Sequence, residues 1–159
     1  MATTRKWVAY GISKTAIING AGVAPTLKNL ASAAQKCGSE IDNTSNLYQY
    51  VDWELYVRFQ SSPAAGASVS LYLVPAIDGT NYGDGADDSV TPPATCWVGA
   101  FPVRAVSTQQ RVTLAAPTAQ CMIGPGKYKP VLVNTGGQAF TNTDDENILY
   151  YRLYNEQAV

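Results

Sequence analysis

The clearest signal in the chain is a two-residue alternation. In residues 51–59, Val51, Trp53, Leu55, Val57 and Phe59 fall on one side and Asp52, Glu54, Tyr56 and Arg58 on the other, the pattern of a β-strand with one face in a core. Residues 67–75 repeat it, with Val69, Leu71 and Leu73 opposed by Ser68, Ser70 and Tyr72. The polar stretch 60–66 between these two strands predicts that they are antiparallel neighbours. Residues 95–103, 111–114 and 131–133 are further strand-sized runs, closed by turn formers such as Gly124-Pro125-Gly126 and Asn134-Thr135-Gly136-Gly137. Residues 147–155 place Ile148, Tyr150, Arg152 and Tyr154 on one side and Leu149, Tyr151 and Leu153 on the other. Bulk on both sides predicts a strand whose outer face meets a partner or a loop, or whose tyrosine hydroxyls reach water over half-buried rings. Roughly five to eight such strands predict an all-β fold, an antiparallel β-sandwich of jelly-roll-like type, because two one-sided sheets close a single core.

Residues 1–46 break the pattern. Residues 6–10 read as a strand, but residues 11–23 mix small apolar residues with glycine, and residues 27–37 carry only a narrow apolar stripe from Leu27 and Leu30, too little for a preferred helix. The organisation predicted is an extended N-terminal arm with an edge strand over 1–46 and a sandwich over 47–159. Ile17 and Ile18 lie in that arm; a partner surface or packing against the chain's own sandwich would each account for them.

Length and charge narrow the classes. The chain has 159 residues, enough for one domain with a real core, and only 14% of them are charged, so much of the surface is Ser, Thr, Asn, Gln and Gly. A formal net charge of -1 removes the electrostatic term that nucleic-acid binding depends on. No run approaches the roughly 20 apolar residues that cross a bilayer, and residues 1–10 do not lead into a signal-peptide core, so neither a membrane partner nor secretion is expected. Cys37, Cys96 and Cys121 are few, distant and outside any Cys-x-x-Cys pair, which favours reduced structural thiols over a disulfide framework or a zinc site. The chain has no histidine, so imidazole-dependent triads and metal sites are excluded.

The remaining candidate chemistry is weak. Asp78, Asp84, Asp87 and Asp88, with Asn81, supply oxygen ligands suited to Ca²⁺, but their spacing matches no dedicated calcium loop and a solvated Asp/Gly turn is the preferred reading. Asp144-Asp145-Glu146 reads as a second such turn. Asp52 and Glu54 share a strand face at a separation found in carboxylate pairs of glycosidases, yet Arg58 on the same face favours ordinary charge pairing. Gly124-Pro125-Gly126-Lys127 lacks the spacing of a phosphate loop. No enzyme and no cofactor is expected. Ten Tyr and three Trp in a charge-poor chain point instead to an interface or a sugar-binding surface. Trp7, Trp53 and Trp97 are assigned to the core, and Arg104, Arg111, Lys127 and Lys129 are available for acidic partner residues. The interface candidates are Ile17, Ile18, Leu27, Leu30, Tyr56, Arg58, Tyr72, Tyr82, Arg104, Tyr150, Arg152 and Tyr154.

Several segments resemble one group of proteins. Leu71-Tyr72-Leu73-Val74-Pro75 with Asp78-Gly79-Thr80-Asn81-Tyr82, Val98-Gly99-Ala100-Phe101-Pro102-Val103-Arg104, Pro125-Gly126-Lys127-Tyr128-Lys129 followed by 131–136, and the closing Tyr154-Asn155-Glu156 are similar to small virion structural proteins of tailed bacteriophages. The likeness spans residues 41–156 and contains no catalytic motif. It implies a capsid cement or decoration protein that binds the outside of the head, with the major capsid protein and copies of itself as partners. It also implies synthesis in the host cytoplasm and a homo-oligomer, a trimer preferred to a dimer. Tail or neck components and glycan-binding or host-recognition β-sandwiches share the same composition and stand as the alternatives.

Overall fold

The structure, a computed structural model, describes residues 5–9, 14–18, 25–114, 121–143 and 145–158. Among these are eleven strands: β1 (Arg5–Ala9), β2 (Thr15–Ile18), β3 (Gln35–Cys37), β4 (Ile41–Asp42), β5 (Tyr50–Val57), β6 (Ser68–Ala76), β7 (Trp97–Pro102), β8 (Gln110–Thr113), β9 (Cys121–Met122), β10 (Lys127–Val133) and β11 (Ile148–Ala158). A single turn of 3-10 helix, Ala94–Cys96, precedes β7. No helix among the described residues is long and apolar enough to cross a membrane.

The strands form two antiparallel sheets packed on one core, so the chain is an all-β sandwich as its alternation predicts. In the first sheet β11 pairs with β5 on one side and with β1 and β2, in succession, on the other; β5 pairs in turn with β8 and β9. In the second, β10 pairs with β6 on one side and with β3 and β4 on the other, and β7 closes the far edge against β6. Three edges are thus single strand positions broken in two. Counted as eight positions in chain order, the sheets read 1-8-3-6 and 2-7-4-5, the order of a jelly roll.

Burial follows the register. Val51, Trp53, Leu55 and Val57 of β5, with Leu149 of the neighbouring β11, face Val69 and Leu71 of β6, Phe101 of β7 and Leu132 of β10 across the core. Leu149, Tyr151 and Leu153 point inward and Tyr150, Arg152 and Tyr154 lie on the opposite side of β11, as expected. The pairing expected of the first two strands is corrected. β5 and β6 lie in different sheets, and residues 58–67 arch over the end of the sandwich between them. Hairpin loops run to about five residues, and this connection is twice that long.

The described parts of residues 1–46 lie along the edges of the chain's own sheets. They supply β1 and β2 to one sheet and β3 and β4 to the other. Ile17, Ile18, Leu27, Leu30 and Ile41 belong to the main core. Between β3 and β4 the two sheets are stitched together: the Ser39 N–H donates to the Ile17 carbonyl at 3.2 Å. Gly38 permits this approach, since a Cβ there would lie 2.8 Å from Pro130 Cγ and 2.9 Å from Ile18 Cγ1. Residues 27–37, weighed as a short helix, form turns leading into β3. Most of 11–23, Asp144, and the side chains of Trp7 and Cys121 lie outside the described residues.

Candidate functional site

Three surfaces of the sandwich are built differently. The first is the end where residues 25–34, 58–67, 103–109 and 134–147 meet, knitted by buried side-chain amides. Asn134, fully buried, donates through Nδ2 to the carbonyls of Leu30 (3.0 Å), Ala31 (3.1 Å) and Gln138 (2.8 Å), and its Oδ1 accepts the Gly136 N–H at 3.1 Å. Gln110 bonds both backbone groups of Arg104 and the Val106 carbonyl. Asn147 accepts the Arg58 N–H at 2.9 Å and donates to the Thr141 carbonyl and hydroxyl. Buried polar groups satisfied this completely hold a loop in one conformation. The exposed residues of 31–33, 61–66, 104–109 and 135–143 are Ala, Ser, Gly, Thr, Gln and Asn, and Arg104 is the only charged residue in those four segments.

The second surface is the outer side of the first sheet. Alternation on β5 and β11 brings Tyr50, Asp52, Glu54, Tyr56, Tyr150, Arg152 and Tyr154 to it. Asp52 and Arg152 are directly opposed and pair at 2.5 Å. Glu54 takes both Lys14 and Arg111. Lys14 Nζ also donates to the Tyr56 hydroxyl at 2.7 Å and lies 4.1 Å from the ring centroids of Tyr56 and Tyr150, which meet edge to face at 5.0 Å. Burial raises the Glu54 carboxyl, but hydrogen bonds and charge from Lys14 and Arg111 outweigh it and the pKa is lowered. A glycosidase acid requires the opposite shift, so charge pairing is what this carboxylate pair does, with Arg152, Arg111 and Lys14 as partners; Arg58 pairs with Glu146 at 2.5 Å.

The third surface is the outer side of the second sheet, and the chain covers part of it itself. Val74, Val131 and Val133 alternate with inward-facing residues, yet they are buried. Residues 77–96 fold back over this side: Asp88 accepts the Cys37 N–H at 2.7 Å and pairs with Lys36, Thr91 donates to Gln35 at 2.9 Å, and the Tyr82 hydroxyl donates to Glu40 while Lys129 lies 4.6 Å from the Tyr82 ring centroid. Between this loop and the end of β6 is an open cleft of about 400 Å³, lined by Val74, Pro75, Ile77, Tyr82, Pro93 and Cys96 with Asp78, Asn81 and Asp84. Trp97, placed in the core by its alternating segment, is instead 43% exposed. It pairs with Tyr72 across an irregular step in the β6–β7 register, which turns it to the outer side.

Three of the four loop carboxylates are held by the chain itself. Asp78 accepts the N–H groups of Thr80 and Asn81 and the Asn81 side chain, Asp87 accepts from Ser89 and Val90, and Asp88 anchors to β3. Among the described residues no three His, Cys, Asp or Glu side chains gather as a metal site. The bonds from Asn81 and then Thr80 hold the Asp78 carboxyl down at about 2. The folded value lies below the unfolded one, so this turn's stabilisation is complete above the ordinary Asp pKa of about 3.9 and is lost as the pH falls toward 2. An NMR titration of the folded protein should place the Asp78 midpoint near 2; an ordinary midpoint would show that the turn does not form.

Of the twelve interface candidates, the structure brings Tyr56, Tyr150 and Arg152 together on the first sheet's outer side, with Arg58 at its margin toward the loop end. Tyr72 and Tyr82 lie on the opposite side and Arg104 at the loop end. Five are corrected. Ile17, Ile18, Leu27 and Leu30 fill the chain's own core, and Tyr154 is buried with its ring stacked on Tyr50 at 5.4 Å, so intrachain packing already covers them. Sequence reasoning missed Lys14, which sits in a stretch with no periodicity to place it. No protein-family model matches the chain, and no curated protein matches it.

Proposed function

We propose that this chain is a bacteriophage capsid cement or decoration protein, which binds the exterior of the head and stabilises contacts between capsid subunits, with the major capsid protein and further copies of itself as partners. The observation that carries this reading is the loop end held rigid by Asn134, Gln110 and Asn147, whose segments 31–33, 61–66, 105–109 and 135–143 carry no charge. Docking through those segments desolvates little charge and orders little chain, two of the costs that reduce binding free energy. A contact of standard size buries about 1,600 Å² in total, and repetition over a shell multiplies a modest local gain. The similarity of residues 41–156 to virion structural proteins and the jelly-roll order, which recurs in viral capsid and lectin domains, support the same reading.

Purified protein added to assembled heads that lack it should bind saturably at a fixed copy number and raise their resistance to heat or low salt. Ala65→Glu and Thr108→Glu, exposed at the loop end, should leave the fold intact and lower occupancy by about tenfold or more, since each buries a new charge. Absence of binding to heads together with recovery from tails would move the protein to the tail or neck. Glycan recognition is a second reading, favoured by the Tyr82-bearing cleft near exposed Trp97; saturable binding of an oligosaccharide, abolished by Tyr82→Ala, would establish it instead.

A further inference from the structure

Residues 77–96 cover the outer side of the second sheet, where Val74, Val131 and Val133 are buried yet stand outside the core cluster between the sheets. Of the covering residues themselves only Gly85 and Pro92 are buried. Those two pack on each other: a Cβ on Gly85, whose φ is +83°, would lie 2.5 Å from Pro92 Cα. Asp78 folds its own turn onto Thr80 and Asn81, and Asp87 does the same with Ser89 and Val90. The loop is thus braced internally.

Its attachment to the sheet is of another kind. Among the described residues its backbone–backbone hydrogen bonds are local, from the Gly79 N–H to the Ala76 carbonyl at 3.0 Å and from the Cys96 N–H to the Pro93 carbonyl at 2.9 Å, and no ladder joins it to a strand. The hydrogen bonds that fasten it run through side chains and reach one short segment, residues 35–40. Asp88 accepts the Cys37 N–H and pairs with Lys36, the Thr91 hydroxyl donates to Gln35, the Cys37 thiol donates to the Ala86 carbonyl at 3.2 Å, and the Tyr82 hydroxyl donates to Glu40. Lys129 adds a contact with the Tyr82 ring. Beneath the loop Gln35 is 8% exposed, and its Nε2 has no acceptor among the described residues. A buried donor without an acceptor weighs against the closed state, because opening lets water satisfy it.

We infer that residues 77–96 are a releasable cover latched by Asp88: they lift off as one unit while both sheets stay folded, and until they do the apolar face of Val74, Val131 and Val133 is kept from neighbouring molecules. A segment with so few buried residues and no main-chain bonds to its base opens at a lower free energy than the ladders around it. Gly79, at φ +77°, forms the near hinge, and Pro92-Pro93 bounds the far one ahead of the 3-10 turn. The internal bracing makes the opening a single event. The cleft beside Tyr82 belongs to the closed state, since the loop forms one of its walls. Opening is a property of the isolated chain and stands apart from the shell reading.

Native-state hydrogen exchange of the full chain reads the opening at the Cys37 amide, whose acceptor is Asp88. That amide should exchange about tenfold faster or more than the amides of β5 and β10, at a rate that changes little in urea too dilute to unfold the sheets. Asp88→Ala should raise chymotryptic cleavage after Tyr82 by about tenfold and bring binding of the apolar dye anilinonaphthalene sulfonate, with the urea midpoint of the sheets unchanged. Asp84→Ala, which removes the loop carboxylate that none of these bonds involves, should leave cleavage and dye binding as they were. A Cys37 amide that exchanges only together with the sheets, cleavage and dye binding alike in the two variants, or sheets that unfold at lower urea along with the loop in Asp88→Ala would each overturn the proposal.

Discussion

Phe59→Ala is expected to lower the free energy of unfolding by about 4 kcal/mol, the middle of the range for a fully buried Phe truncated in a core that cannot collapse around the gap. Phe59 is 1% exposed and its ring meets Phe140 edge to face at 5.2 Å. The two residues also form an isolated bridge that ties the end of β5 to the loop after β10. The backbone packs directly on the ring: a Cβ on Gly136 would lie 2.7 Å from Phe59 Cε1. Removing the ring therefore empties a space walled by backbone, which moves less readily than side chains. In a chain of this length each kcal/mol shifts the melting temperature by about 2–4 °C, so a fall of about 8–16 °C is expected. Urea and thermal unfolding read both quantities, and a loss below about 1 kcal/mol would mean that the loop end is not packed on β5 as described.

Asn134→Ala should cost about 3 kcal/mol, through a different mechanism. The substitution strands the Gln138 carbonyl and the Gly136 N–H and takes one of two partners from the Leu30 and Ala31 carbonyls, which keep the Phe140 and Ala34 N–H groups. The two stranded groups pay the desolvation penalty of a buried polar group without a partner. Asn134→Leu should be no less damaging, because volume is not what the site needs, and that equivalence separates lost hydrogen bonds from a lost cavity filler. The loop segments 27–34 and 134–140 should also exchange their amide hydrogens faster in either variant, at lower denaturant than the sheets require. Rescue by leucine would show that the network contributes little.

The strands were legible and the pairing was not. Residues 51–59 and 147–155 announced strands because alternation is a local property, and their inner and outer sets match the observed register residue by residue. The same alternation marked Trp97 as core, and the irregular step against Tyr72 turned it outward; a register irregularity leaves no mark on hydrophobic spacing. Tyr56, Tyr150 and Arg152 were recognisable as outer-face residues. Lys14 reaches them from 40 and more residues away, across a stretch without pattern. Ile17, Ile18, Leu27 and Leu30 looked like a surface in search of a partner because an apolar cluster in an irregular segment carries no sign of what covers it. Their cover is the chain's own two sheets.

By itself the sequence determined that this protein is all-β, that each principal strand has one apolar side, and that its surface is poor in charge. Those are properties of neighbouring residues and of composition, and they survive any choice of topology. The tertiary structure alone decided that β5 and β6 face each other across the core, that the acidic loop covers one sheet, and that Lys14 and Arg111 converge on Glu54. The physical reason is that a strand's edge hydrogen bonds are satisfied equally well by any antiparallel partner; the choice among partners rests on packing and loop closure summed over the whole chain.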